Sequence, residues 1–189
     1  NVALGLSVTR MMSMVQTSKK FSVARFNQHS VATAVLADMV AQVVPVQYPE
    51  GAFVAGLFHD LGKMLIAIGL RDEYGLVLDA YTKGEKPLHI CEQEILGFDH
   101  AELSWSATNS WNLPEPIQLA VHLHHTSKTD PTSSPGVPAL SFVLSAANRF
   151  VKQCGIGVEE NIPEVDLVDG AELEEILDER YGALVEEFQ

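Results

Sequence analysis

The chain of 189 residues is 47% hydrophobic, which is enough for one domain with its own core and does not require two. Its formal net charge of -13 opposes binding to nucleic acid and to anionic membrane surfaces, because few lysines and arginines are available to neutralise phosphates. No apolar run approaches the roughly 18 residues of a membrane span and no secretory signal opens the chain, so we expect a cytoplasmic protein.

Helical periodicity dominates the sequence and alternating strand patterns are scarce, which predicts an all-α fold. The first helix is predicted over about residues 2–15. The second is predicted over about residues 26–44, where the spacing of apolar residues forms one face, and Pro45 ends it. His29 lies in the first turn of this second helix.

The third predicted helix carries two ionisable side chains directly behind an apolar run. It begins near Pro49, a residue suited to the first helical position, and reaches His59 and Asp60. Gly62 is expected to loosen the backbone before the helix resumes. Burial of polar side chains is tolerated when they are hydrogen-bonded, paired or bound to a metal, so partners are expected elsewhere in the chain.

Short helices are predicted near residues 72–82 and 87–96, and the next helix opens at His100. Asp99 precedes it as an N-cap with Glu102 three residues later, which is the pattern of a capping box. Another helix begins in the segment LPEPIQLAVHLHH and has paired histidines at its end. After a loop rich in Ser, Thr, Pro and Gly, residues 139–154 are predicted to form a buried helix.

The composition becomes acidic after Gly155, where an amphipathic helix capped by Asp169 is predicted over residues 171–188. We therefore divide the chain into a helical domain at residues 1–155 and an acidic extension at residues 156–189. The helix of the extension is expected to be solvated on its polar face, with docking on a partner as the alternative. Cys91 and Cys154 fit no disulfide or zinc spacing and are expected to be buried thiols.

Several histidines and one aspartate lie on or at the ends of the predicted helices. Imidazoles and a carboxylate suit divalent zinc, iron, manganese or nickel, and side chains from several helices can surround one site in a bundle core. The alternative is a degenerate site, in which the same side chains form a hydrogen-bond network between helices. The candidates are His29, His59, Asp60, His100, His124 and His125.

Four segments of this sequence together resemble the HDOD domain, a bacterial output-domain branch of the HD metal-dependent phosphohydrolase superfamily. The resemblance covers roughly the first 155 residues and looks like the C-terminal part of the domain, with N-terminal helices missing. The segments are HSVATAVLADMVA, AFVAGLFHDLGKML, ILGFDHAELSWSATNSWNLPEPIQLAVHLHH and SFVLSAANRF.

The resemblance implies an HD-like helical bundle and assigns metal-ligand positions. His29 is similar to the first ligand of the superfamily, His59 and Asp60 to its signature pair, and the remaining candidates, His100, His124 and His125, to additional ligands. Asn148 stands where active relatives place an aspartate, and an amide gives a weaker oxygen ligand. The sequence also lacks the GYP signature of the HD-GYP group, which argues against that group's hydrolysis of cyclic dinucleotides.

Two functions follow from the resemblance. The favoured one is a non-catalytic module of bacterial signal transduction whose partner is a signalling protein or a small-molecule or nucleotide ligand, because Asn148 interrupts the ligand set and no basic substrate surface is evident. The alternative is a metal-dependent phosphohydrolase acting on a nucleotide or phosphoester, with Asp60 positioning a hydroxide and Lys63 contacting a phosphate. The alternative interpretation is that Lys63 only solvates a helix face. Neither function involves nucleic acid or a membrane, and the oligomeric state is left open.

Four further residues are interpreted as structural. Trp105 and Trp111 are expected to pack in the core rather than to stack on a base. His89 and His122 fall outside the pattern of the family and are interpreted as surface or core histidines.

Overall fold

The computed structural model describes residues 17–168 and 173–177, and no β-strand occurs in that part of the chain. The all-α prediction is therefore confirmed. The helix predicted at residues 2–15, and most of the one predicted at 171–188, lie outside the described residues. The helices are α1 (Val23–Val43), α2 (Ala52–Phe58), α3 (Leu61–Gly69), α4 (Arg71–Tyr81), α5 (Leu88–Leu96), α6 (His100–Ser110), α7 (Glu115–Leu123), α8 (Leu140–Gln153), α9 (Val165–Val168) and α10 (Leu173–Leu177).

Helix α1 begins three residues earlier than predicted. The hydroxyl group of Ser22 accepts a hydrogen bond from the backbone N–H of Arg25, which caps the first turn. The helix ends just before Val44 and Pro45, as the proline requires. His29 lies on the buried face of this helix, so its side chain points into the bundle.

The expected third helix is divided at the His59–Asp60 pair. A 3-10 helix at Pro49–Gly51 leads into α2, and the backbone of Asp60, with φ -98° and ψ 8°, separates α2 from α3. This sparsely populated region of backbone space is common at functional sites. Gly62 lies inside α3, so the prediction that this glycine loosens the backbone is wrong.

Two glycines instead allow the helices around the pair to approach each other. A Cβ atom on Gly56 would overlap the backbone of Ala34 in α1, and one on Gly62 would overlap the carbonyl group of His100 in α6. The N–H of Gly62 donates to the Ser104 hydroxyl at 2.7 Å. These contacts set α1, α2, α3 and α6 around a common centre.

The segment Pro49–Gly69 is long and apolar enough to cross a membrane by length and composition, with a mean hydropathy of 1.4. The expectation that no such run exists is therefore wrong. However, 78% of its most apolar window is buried inside the fold, as in the core helix of a globular protein.

The apolar core forms two main groups, and both tryptophans lie outside them. One group packs α1, α2, α7, α8 and α10 together, and the other lies among α3, α4 and α5. Trp105 is 41% exposed and Trp111 is 54% exposed, so the prediction that they pack in the core is wrong. Cys91 is buried as expected, whereas Cys154 is exposed because it follows the last turn of α8.

Candidate metal centre

The carboxylate of Asp60 lies at the centre of four histidine rings. Its Oδ1 atom is 3.4 Å from His59 Nε2, 3.3 Å from His100 Nε2 and 3.8 Å from His124 Nε2. Its Oδ2 atom is 3.4 Å from His29 Nε2. All five side chains are 0–1% exposed, so residues far apart in the sequence converge in one buried pocket.

Backbone carbonyl groups orient three of these rings. In each ring the Nδ1–H donates to a carbonyl oxygen, which fixes the tautomer and leaves Nε2 with a free lone pair when the ring is neutral. The pairs are His29 with Ile156 at 2.7 Å, His59 with Gly56 at 2.8 Å, and His124 with Val121 at 2.7 Å.

The inward-facing atoms of the pocket lack hydrogen-bond partners among the described residues. They are Nε2 of His29, His59 and His124 and the Oδ1 atom of Asp60. Buried polar atoms without partners are costly, and a hydrogen-bond network would have satisfied them. A divalent cation would satisfy them together, because neutral imidazole nitrogens and a carboxylate are the ligands such ions take. The residues present therefore fit a metal ion.

His100 is held by a glutamate that the sequence analysis missed. Its Nδ1 lies 2.5 Å from Oε2 of Glu92, an arrangement in which a carboxylate orients a metal-binding histidine. Its Nε2 lies 2.8 Å from Nε2 of His125. Glu92 could have been recognised, because it lies on the buried face of α5 one turn after Leu88, where an unpaired carboxylate is not tolerated.

The protonation states of the rings differ. Burial lowers the pKa of His59 to about 3 and lowers those of His124 and His125 well below the usual value, so these rings are neutral. Burial alone would also lower the pKa of His100, but the carboxylates of Glu92 and Asp60 raise it to about 9. The pKa of Asp60 is held well below its usual value, because the nearby positive charges and imidazoles outweigh the effect of burial.

The candidate ligands form two groups, and Asp60 lies between them. One group contains His29, His59 and Asp60, and the other contains His100, His124 and His125, with the ligand atoms of each group within 4.8 Å of one another. Either group could hold a metal ion. Because Oδ1 of Asp60 faces His100 and His124, and Oδ2 faces His29, the carboxylate could serve both groups.

Lys63 is buried beside the same carboxylate. Its Nζ lies 2.9 Å from Asp60 Oδ2 and 3.4 Å from Glu159 Oε1, and its side chain is 1% exposed. The interpretation that Lys63 solvates a helix face is therefore wrong. Burial would lower its pKa, but the two carboxylates raise it above the usual value, so the ammonium is permanently charged. Its contact with a substrate phosphate stays a prediction.

Asn148 and His89 lie beside the second group. Asn148 is 5% exposed, its Oδ1 has no hydrogen-bond partner among the described residues, and it lines a cavity with His124 and His125. The ring of His89 stacks on that of His125 with centroids 4.2 Å apart. The interpretation of His89 as a surface or core histidine stays a prediction.

The model of the HDOD domain matches residues 1–127 of this chain. The chain is also similar in fold to an HDOD domain protein with unknown function from Geobacter sulfurreducens, with a TM-score of 0.75 and 18% identity over 97% of this chain and 66% of that one. A protein of Marinobacter aquaeolei provisionally named a signal transduction protein gives a TM-score of 0.68 and 20% identity, over 98% of this chain and 40% of that one.

A further crystal structure, provisionally named a phosphohydrolase of Shewanella amazonensis, gives a TM-score of 0.66 and 20% identity over 97% of this chain and 66% of that one. The chain thus spans between two fifths and two thirds of these relatives. Identities this low show a shared fold only. Because the HDOD model matches more than half of the residues, and the fold and the His/Asp cluster agree with it, this chain belongs to the HDOD domain family.

Proposed function

We propose that this chain is a regulatory module of bacterial signal transduction, in which the His/Asp centre holds a divalent metal ion and does not catalyse turnover. The observation that carries the proposal is the burial of the centre. Asp60 and the four histidines around it are 0–1% exposed, although their inward-facing atoms are arranged as metal ligands. Structural metal sites are closed, whereas catalytic sites keep one position open for water or substrate.

The ion would be held by either of the two groups of candidate ligands described above. A divalent metal such as zinc, iron, manganese or nickel supplies Lewis-acid chemistry when it has an open coordination position. Lys63 instead places its ammonium group against Oδ2 of Asp60 and beside Glu159, so two carboxylates already compensate the charge that a substrate phosphate would need. These residues thus hold the carboxylate of Asp60 and the helices around it together.

A role in signalling agrees with the provisional name of the Marinobacter relative, which covers almost all of this chain. In such a module the bundle presents a surface to a signalling protein, or responds to a small ligand, and the metal keeps the helices in one arrangement. We place this activity in the cytoplasm.

A metal-dependent phosphohydrolase is the second candidate. It is favoured by the cavity beside His124 and His125, because His125 is only partly buried and could be reached from it. The provisional name of the Shewanella relative points the same way. In that function Asp60 would position the attacking water, and the substrate would enter through the cavity.

One hydrolysis assay distinguishes the two functions. The protein is supplied with manganese or iron(II) and assayed against a panel of phosphodiesters, phosphomonoesters and nucleotides, beside Asp60→Ala and the surface variant Asp79→Asn. We expect no hydrolysis above that of the Asp60→Ala variant. Turnover that the wild type and Asp79→Asn share, and that Asp60→Ala abolishes, would contradict the proposal and establish the phosphohydrolase.

A further inference from the structure

A cavity of about 220 Å³ lies between α4, the residues just before α1 and the segment that follows α8. None of the candidate metal ligands lines it, so it is separate from the metal centre. An apolar cavity of about 150 Å³ is large enough to hold benzene. This cavity therefore has room for a small organic molecule.

Most of the inner wall of this cavity is apolar. Its side chains are buried, so the part of a ligand that contacts them must be apolar as well. The hydroxyl group of Tyr81 donates to Asp166, which pairs with Lys152 at 3.0 Å, so this hydroxyl already has a partner. The apolar and aromatic residues of the wall are Phe21, Tyr74, Leu78, Tyr81 and Val158.

Glu159 brings a buried carboxylate to the wall of the cavity. Its side chain is 6% exposed, and its Oε1 atom lies 3.4 Å from Lys63 Nζ, which is already 2.9 Å from Asp60. Its Oε2 atom has no hydrogen-bond partner among the described residues. The backbone carbonyl of Glu159 accepts from Arg25 at 2.8 Å, which holds the residue in place. A buried carboxylate oxygen without a donor is costly, and a cationic donor would relieve that cost.

The charges that line the cavity favour a cation over an anion. Lys20 is the one basic side chain among the described residues of the lining, and its ammonium is paired with the exposed Asp79. Glu159 and the exposed Glu160 add two further carboxylates. An excess of negative charge at the wall of a cleft attracts positively charged ligands.

We propose that this cavity binds a small organic amine, with its ammonium group at the carboxylate of Glu159 and its apolar body against the aromatic wall. The proposal goes beyond the proposed function, because it adds a ligand site that contains no candidate metal ligand. Only the use of this amine as a signal rests on the proposed function.

Titration calorimetry with benzylamine, benzyl alcohol and benzoate tests the proposal, because the three probes share one ring and differ in charge. The protein is kept in EDTA, without metal, at neutral pH and at a low ionic strength of about 0.01 M, where surface charges are little screened. Benzylamine should bind at least about fivefold more tightly than benzyl alcohol, since only its ammonium forms a charge-assisted hydrogen bond. Benzoate should bind more weakly than benzyl alcohol.

Glu159→Gln should weaken the binding of benzylamine at least about fivefold and leave that of benzyl alcohol unchanged, because it removes the charge and keeps the shape. Glu50→Gln is the matched control, since it removes the same charge from an exposed position outside the cavity. It should leave both affinities unchanged. Thermal unfolding shows whether each variant is folded.

Lys20→Gln tests the charge of the cavity at an exposed position, where the fold does not depend on the side chain. It should tighten the binding of benzylamine about twofold or more, because it removes the cation at the mouth. Lys86→Gln is its control, since Lys86 forms an exposed ion pair with Glu94 outside the cavity. This pair of variants and the three probes decide the question even if Glu159→Gln does not fold.

The proposal is overturned if the wild type does not bind benzylamine, or binds benzyl alcohol or benzoate as tightly. It is also overturned if folded Glu159→Gln keeps the wild-type affinity, or if either control variant changes the affinity as much as its counterpart does. Because the titrations contain no metal, their failure leaves the metal centre and the signalling role standing. A centre that binds no metal likewise leaves the amine site standing.

Discussion

Asp60 shows how one carboxylate organises the centre. It is fully buried, it faces four imidazoles, and its charge is opposed by the ammonium of Lys63 at 2.9 Å. A carboxylate in such a place is costly unless its charge is compensated, and removing one partner of a buried pair leaves the other uncompensated. Lys63 therefore compensates the buried charge of Asp60, and a bound cation would compensate it as well.

We expect Lys63→Met to destabilise the metal-free protein by about 3–5 kcal/mol, because the carboxylates of Asp60 and Glu159 lose their buried partner. Chemical denaturation measures the effect, with the exposed Lys83→Met as control. A loss below about 1 kcal/mol would show that the pair contributes only what a surface ion pair does.

Asn148 gives a second prediction at the scale of the residue. Asn148→Asp should tighten the binding of divalent manganese or zinc roughly tenfold, because it places a charged oxygen beside His124 and His125. Competition with a chelating dye measures the affinity. Asn109→Asp, on the exposed end of α6, adds the same charge away from the centre and should have no effect. Unchanged affinity in Asn148→Asp would remove residue 148 from the ligand set.

The convergence of the histidines could be anticipated from the sequence, whereas their supporting residues could not. His29, His59 and His100 match a family pattern, and each also lies at a predicted helix end or on an apolar face. Glu159 has no such signal, because it stands in an acidic segment next to the exposed Glu160. Only the folded chain brings its carboxylate to Lys63.

At the scale of the element, the capping box at Asp99 predicted the start of α6 correctly, whereas the Ser22 cap of α1 was not recognised. Asp99 accepts a hydrogen bond from the N–H of Glu102 at 2.9 Å, and α6 begins at His100 as predicted. The sequence analysis placed the break between α2 and α3 at Gly62, because this glycine was expected to loosen the backbone. Gly62 is required for close packing, and the backbone turns at Asp60 instead.

Gly62→Ala should therefore separate α3 from α6 and destabilise the protein by about 3 kcal/mol or more, because its Cβ atom would overlap the His100 carbonyl group. Gly75→Ala in α4 is the matched control, since a Cβ atom there meets nothing within 4 Å. That variant should be unchanged or more stable by about 0.5–1 kcal/mol. Equal unfolding midpoints for the two variants would contradict the packing described for Gly62.

At the scale of the whole molecule, the helical periodicity of apolar residues predicted the all-α class. It did not predict how the segment after α8 closes the bundle. The segment after α8 returns to the centre through contacts that have no sequence pattern. The carbonyl of Ile156 accepts from His29, and that of Glu159 accepts from Arg25 at 2.8 Å. The boundary predicted at residue 155 stays a prediction, but the residues just beyond it help to seal the centre.

The ion pair of Asp166 makes the stability of the molecule depend on pH. Burial would raise the pKa of Asp166, but Lys152, Lys63 and the Tyr81 hydroxyl hold it below its usual value. A depressed pKa contributes stability above the unfolded value of about 3.9, and this contribution is lost as the pH falls further. The free energy of unfolding should therefore fall more steeply below about pH 4 in the wild type than in Asp166→Asn. Parallel curves would contradict the pairing.

The central claim is that the unpartnered imidazole nitrogens around Asp60 hold a metal ion. Elemental analysis of the protein purified without added metal tests it most directly, beside the double variant His59→Gln, His124→Gln and the control His122→Gln, which changes a histidine outside the centre. We predict stoichiometric zinc, iron, manganese or nickel in the wild type and in His122→Gln, and its loss in the double variant. A folded wild-type protein that contains no metal, and takes up none when these ions are supplied, would contradict the account.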